Sequence, residues 1–301
     1  MKNLSQITKI YLKLTLVSIF FASNFIVARL MSTRISPITS SAMRFVIASC
    51  VLVIIVFQKY RTLPKINPYQ LKIIFLLGII GIAGDTFCFF SGLKYTTASK
   101  ASIIVALNPV FLALFSRIFF KEKLQILKLT GIFISFIGAV IVISNGAVLS
   151  MAMGNIGLGE LYILGSVICW VIFSLMGKSI NRTMDSIIIL CYASIVGSII
   201  LAGIAFGSGA LIDLKNLNIP TLLGSLSIGI LGTAISYQFY YEAIYFLGAS
   251  RSGIFLNLIP VFATIGGILV LGEHLRSAFI IGAMMVLSGV LITNFHNNHN
   301  N

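Results

Sequence analysis

Apolar residues run along this chain in ten long stretches, 11–30, 39–57, 70–92, 97–120, 126–145, 158–179, 186–207, 219–246, 252–272 and 277–295, with polar or basic residues gathered between them. At a rise of 1.5 Å per residue, stretches of about 18 or more residues cross a hydrocarbon core about 30 Å thick as helices. An isolated span must satisfy its own backbone hydrogen bonds, and the short alternating segments of a barrel are missing, so the pattern predicts helices. Ser36-Pro37, Asn67-Pro68 and Asp185-Ser186 each set a capping side chain before a helix start. The short connectors leave no soluble domain.

Composition agrees: 58% of residues are apolar and only 9% are charged, with a mean hydropathy of +1.06. Soluble domains carry about a quarter charged residues. Lys2, Lys9 and Lys13 precede the first stretch as in a signal peptide. No small-x-small cleavage site follows, and Arg29 closes a full-length span. The first span is therefore expected to be retained.

A net charge of +14 raises the question of nucleic acid, yet the basic residues flank spans instead of forming one face. With the N-terminus inside, the inner connectors hold Lys2, Lys9, Lys13, Lys59, Arg61, Lys65, Lys72, Arg117, Lys121, Lys123, Lys128, Lys178, Arg182 and Arg251. The outer ones hold only Arg29, Arg34, Lys94, Lys100, Lys215 and Arg276. The positive-inside rule then assigns both termini to the cytoplasm of a bacterial inner membrane, with no role for nucleic acid.

An internal repeat organises the chain. A shift of 151 positions pairs Gly81 with Gly232, Ala98-Ser99 with Ala249-Ser250, Pro109-Val110-Phe111 with Pro260-Val261-Phe262, Glu122 with Glu273, Gly131 with Gly282 and Gly138 with Gly289. Residues 1–148 and 149–301 are thus expected to be two five-helix repeats. An odd number of spans per repeat makes the second enter the membrane inverted, an architecture whose binding site lies near the midplane where the halves meet. Duplication without transport is the competing reading.

These residues carry a resemblance. Ser23-Asn24-Phe25, Arg44-Phe45, Pro109-Val110-Phe111, Glu122, Gly131, Gly138 and their second-half counterparts, with Gly272-Glu273, resemble the EamA-like family of the drug/metabolite transporter superfamily over essentially the full chain. The resemblance implies a ten-helix carrier with a central cavity, commonly an exporter of amino acids and related metabolites, and brings Asn24 and Trp170 into the candidate cavity. Ala22 stands where the family often has Trp, with Trp170 in the matching place of the second half, and Lys121 replaces a usual Gly.

Ionisable residues inside spans are costly and therefore informative. Arg44 and Asp85 have similar expected depth and opposite charge, which suggests an ion pair or gate, or else a snorkelling arginine beside a hydrogen-bonded aspartate. The eighth span concentrates Tyr237, Gln238, Tyr241 and Glu242, aromatic walls with polar groups that suit an organic ligand or, at the span end, an interfacial belt. In the fourth and ninth spans small residues repeat at helical spacing around Pro109 and Pro260. They serve close packing, while each proline frees the carbonyl four residues earlier, Val105 and Leu256. One turn before the prolines the repeat breaks, Ala106 against Asn257, which marks Asn257 for solute recognition. Gly131, Gly138, Gly282 and Gly289 are expected to pack helices.

Enzyme chemistry finds no support: His274, His296 and His299 lie at a span junction or in the tail, and the four cysteines form no CxxC pair. No metal, cofactor or nucleotide-binding motif is indicated. The expected function is secondary transport of a small-molecule solute by alternating access, with export favoured. Proton coupling through Asp85 or Glu242 and a homo-oligomer are both compatible with the sequence. Uptake of a host-derived or nucleotide-linked metabolite is one alternative, and a non-transporting membrane scaffold or lipid-handling protein is another.

Overall fold

The computed structural model describes residues 4–120, 126–144, 157–180, 184–247 and 255–295, and every regular element among them is helical. Six helices are long and apolar enough to cross a membrane: Ile7–Met31, Pro37–Tyr60, Pro68–Tyr95, Leu158–Met176, Ser186–Gly207 and Ile219–Tyr240. The other four predicted segments hold shorter apolar helices. Two of these are short because their segments break. The fourth turns at Ala106 and Leu107, between helices Ala98–Val105 and Asn108–Phe120, and the ninth turns at Asn257 and Leu258 before Ile259–Leu271. Pro109 and Pro260 follow these turns one repeat apart, where a missing N–H favours a helix start over continuation.

The anticipated caps form. Ser36 accepts from the Thr39 amide, Asn67 builds a capping box with Gln70, and Asp185 accepts from the Ile187 amide. Connectors gather at two ends of the bundle. Those after the first and seventh segments meet through Ser36 N–H to Asp213 (2.8 Å), and the one after the third meets the first turn of helix Leu158–Ile180 through the Thr96 hydroxyl to Glu160 (2.9 Å). The connector after the ninth joins them through Ala98 N–H to Glu273 (2.7 Å). At the opposite end, Lys59 and Tyr60 bind Asp185 (2.7 and 2.6 Å), and Lys13 binds Glu242 (2.6 Å).

The fifth and tenth segments, Ile126–Ser144 and Ser277–Phe295, pack with backbones in contact. A methyl placed on Gly138 would lie 2.6 Å from the Gly282 carbonyl oxygen, and one on Gly289 would lie 2.5 Å from the Gly131 carbonyl oxygen. The contacts are reciprocal under the repeat, and residue numbers rise on one helix as they fall on the other, so the pair is antiparallel. Small-residue faces allow this approach in lipid, where dispersion and not water exclusion drives association.

The third and eighth segments widen into π-helix at matching places, Leu77–Gly84 and Ile230–Ile235. Glycines there admit the other half: Gly78 meets Val196 and Gly81 meets Phe173, while their repeat partners Gly229 and Gly232 meet Ile47 and Asn24. The hydroxyls of Thr233 and Ser236 bond the carbonyls of Ile228 and Leu231, five residues back. Two-fold reciprocity thus extends through the core.

Asp213 offers a pH test of the connectors. Burial pushes its carboxyl up, but hydrogen bonds from Ser36 and Thr39, with Lys94 nearby, outweigh that and hold it below the usual carboxylate range. A depressed folded-state pKa stabilises the fold above the unfolded value of about 4 and loses that contribution as pH falls through the folded value. Asp213→Asn should therefore lower the thermal midpoint of purified protein at pH 7, and the gap from wild type should close on acidification. A gap independent of pH would exclude the charge as its cause.

Candidate functional site

The matched π-segments define where the candidate residues meet. Asn24, 4% exposed, donates to the Gly232 carbonyl at 3.0 Å, and its Oδ1 has no partner among the described residues. On the next residue, the Thr233 hydroxyl accepts from Arg44 Nε at 3.1 Å. The Arg44 guanidinium lies 5.3 and 5.7 Å from the ring centres of Phe45 and Phe89. Asp85 opens the helix after the other π-segment and accepts from the Ser166 hydroxyl at 2.5 Å.

The anticipated Arg44–Asp85 ion pair does not form. Among the described residues the ion pairs within 4 Å are Lys13–Glu242, Lys59–Asp185 and Lys100–Glu160. Arg44 is only 8% exposed, yet its sole hydrogen bond there is the one from Nε, so its terminal nitrogens hold no carboxylate. Asp85 and Tyr237 are the groups within its electrostatic reach.

Trp170 stacks on Phe173 (5.7 Å) and leans on Tyr237 (5.8 Å), which meets the edge of Phe21 (5.7 Å). Trp170 and Tyr237 therefore lie in one aromatic cluster with Phe21 and Phe173. Gln238 is exposed, because it is the neighbour of inward-facing Tyr237 and successive helical residues point about 100° apart. The Tyr241 and Pro109 side chains and Glu122 lie outside the described residues. Asn257 occupies the ninth-segment turn with its Nδ2 buried and unpartnered among the described residues, and Asn108, beside the fourth-segment turn, leaves its Oδ1 in the same condition. Such atoms normally find a partner.

The candidate residues sit where the repeat is asymmetric. The Arg44 carbonyl abuts Gly229 as the Ala193 carbonyl abuts Gly78, each 3.1 Å from a methyl built on the glycine. The structural counterpart of Arg44 is thus Ala193, and by the same reciprocity that of Asn24 is Phe173. Asp85 and Asn257 match Ser236 and Ala106 at the 151-residue shift. A common backbone geometry carries ionisable or amide groups on one side only.

Sequence reasoning missed three features. Thr233 orients Arg44. Cys88 and Cys169 face each other's helix, each thiol opposite a glycine, Gly165 and Gly84 respectively, at 3.4 Å from a methyl built there. Glu273 accepts from Ala98 N–H, Ser99 N–H and the Ser99 hydroxyl at 2.7, 3.1 and 2.5 Å. The repeat itself held the signal for Glu273, since Ala98, Ser99 and Glu273 were all among its matches.

Two concavities lie away from this cluster. An apolar groove of about 790 Å³ runs along the fourth and fifth segments past Leu107, Phe111 and Phe133; its wholly apolar wall suits lipid tails, not a polar solute. A polar pocket of about 290 Å³ lies at the end of the bundle between Arg29, Lys100, Glu160, Glu273 and Arg276.

Intertwined helical halves around a buried polar and aromatic cluster define a multi-pass membrane protein. The chain belongs to the EamA-like transporter family, which it matches over residues 8–144 and 157–295. It is a transporter and not an enzyme. It is 30% identical over 283 residues to "Uncharacterized transporter YyaM" of Bacillus subtilis (strain 168), covering 94% of this chain and 92% of that one. It is 27% identical to an "Uncharacterized transporter" of Archaeoglobus fulgidus, covering 95% and 97%. A solved crystal structure 16% identical aligns with a TM-score of 0.64 over 94% of this chain and 97% of that chain, a likeness of fold.

Proposed function

We propose that this protein is a ten-span, inverted-repeat secondary carrier of the bacterial inner membrane that exports amino acids or closely related metabolites by alternating access. The alternation of connectors between two ends and the reciprocal glycine contacts support the inverted arrangement, in which exchanging the conformations of the two halves exposes a midplane site to either side. The observation that carries the substrate reading is Arg44: a buried guanidinium with no carboxylate within 4 Å among the described residues is poorly compensated, and a solute carboxylate completes it in bidentate geometry. Trp170, Tyr237 and Phe21 supply the wall for an apolar side chain, and Asp85 attracts the ammonium. Asn257 Nδ2 adds a hydrogen-bond donor.

Between the two carboxylates suited to proton coupling, Glu242 is paired with Lys13 whereas Asp85, among the described residues, forms no ion pair within 4 Å and accepts a serine hydroxyl, so Asp85 is the coupling group in this reading.

Competition in reconstituted vesicles tests it. Aromatic and branched amino acids on the trans side should exchange with preloaded labelled phenylalanine, and the matching amines, which lack only the carboxylate, should compete at least about tenfold less well, as expected for a lost charge-assisted hydrogen bond. Equal competition by the amines would remove the assignment of Arg44.

A further inference from the structure

The end of the bundle that the basic-residue distribution places outside is closed by contacts of one kind. Helix Ala98–Val105 begins with three amides in need of acceptors. The Lys100 amide is capped locally by the Thr97 hydroxyl at 3.2 Å. The Ala98 and Ser99 amides are capped by Glu273, which belongs to the opposite half of the chain. Beside them, Glu160 of the second half accepts from the Thr96 hydroxyl and from Lys100 Nζ, each at 2.9 Å. Lys100 and Glu160 are nearly buried, with side chains 15% and 8% exposed. All the donors in this group lie in the first half, and both carboxylates lie in the second.

Local structure aims Glu273 at this target. Helix Ile259–Leu271 ends at Gly272 in the left-handed conformation (φ 65°), and the Glu273 amide turns back to the Gly267 carbonyl. Gly267 also clears the space: a methyl there would lie 2.6 Å from Glu273 Oε2 and 2.7 Å from the Ser99 hydroxyl. The capped helix is a separate piece of the fourth segment, eight residues long, divided from the next helix by the turn at Ala106 and Leu107. A short rod hinged at one end and held by two carboxylates at the other can swing away as a unit, since water can replace the carboxylates at its amides once they leave this contact.

We propose that Glu273 is the clasp of a gate at this end of the protein, with Glu160 as its second arm: bonded to Ala98 and Ser99 it holds the halves closed, and its release swings helix Ala98–Val105 outward. This rests on the alternating-access reading and adds the contact that must break in each cycle. Glu273 is a positioning residue and touches no solute in this role.

Cys88 and Cys169, between the third and sixth segments and a few turns from Thr96, report opening without any solute. Full-length protein in lipid nanodiscs would be treated with a membrane-impermeant maleimide and labelling followed peptide by peptide. Glu273→Gln keeps the shape but weakens charge-assisted bonds to neutral ones, and should speed labelling of Cys88 and Cys169 about fivefold or more, while Cys50, exposed midway along the membrane helix Pro37–Tyr60, stays unlabelled. Gly267→Ala leaves the carboxylate in place but crowds it off Ser99, and should act in the same direction. Ser99→Ala, which removes a single bond, should have a smaller effect and serves if the other variants fold poorly. A second arm replaces the clasp by a disulfide in the Ser99→Cys, Glu273→Cys protein: phenylalanine exchange should stop on oxidation and return on reduction. Unchanged labelling in all three single variants, or undiminished exchange by fully cross-linked protein, would overturn the clasp and leave the carrier reading intact. Faster labelling in a protein that exchanges no amino acid would overturn the substrate assignment and leave the clasp.

Discussion

Gly138→Val should leave almost no folded protein. Its Cβ would fall 2.6 Å from the Gly282 carbonyl oxygen, 2.7 Å from Met285 Cβ and 2.7 Å from the Val286 amide nitrogen, so it strikes backbone that no rotamer change can move. Overpacking in a well-packed interior costs about 1–3 kcal/mol where side chains can yield, and the upper end or more is expected here because the two helices must separate along the whole interface. Gly289→Val should fail in the same way, since it sits on the reciprocal contact with Gly131. Gly203→Val is the control: it also lies in a membrane helix, but a methyl there meets nothing within 4 Å. Comparing monodisperse yield and thermal midpoint in detergent checks the claim. Equal losses at positions 138 and 203 would attribute the damage to helix propensity in general and not to this crossing.

Arg44→Gln should raise the half-saturation concentration for an amino-acid substrate about tenfold to a hundredfold, the range expected when a charge-assisted hydrogen bond worth about 1.5–3 kcal/mol is lost. The same change should leave thermal stability unchanged or raise it, because it removes a buried charge that has no carboxylate partner among the described residues. That opposition separates a ligand group from a structural one. Thr233→Val, which frees Arg44 Nε without touching the charge, should give a smaller affinity loss through misorientation. A fall in stability matching the fall in transport would make Arg44 a structural residue.

Much of this molecule was legible in one dimension. Apolar stretches of membrane-spanning length depend only on the cost of exposing backbone and charge to lipid, a local property of each segment. The caps at Ser36, Asn67 and Asp185 were readable for the same reason, since donor and acceptor lie within three residues of each other. The repeat exposed its matched prolines and glycines, and the structure gives them a purpose: Pro109 and Pro260 follow the two helix breaks, and Gly131, Gly138, Gly282 and Gly289 form one crossing. The length of the interrupted segments was less legible, because hydropathy runs on through Ala106-Leu107 and Asn257-Leu258 while the helix does not.

Tertiary structure alone decided which polar groups meet. Arg44 and Asp85 have complementary charge and similar depth in sequence, yet Arg44 turns to Thr233 and Asp85 to Ser166, partners 189 and 81 residues away that no local period encodes. Gln238 and Tyr237 are adjacent in sequence, and only packing against Phe21 and Trp170 selects the tyrosine for the interior. Glu273 looked like a connector residue until the fold placed the start of helix Ala98–Val105 beneath it. A span is chosen by transfer from water to lipid, which each segment settles by itself, whereas a buried polar group takes whichever partner the arrangement of all the helices brings within 3 Å.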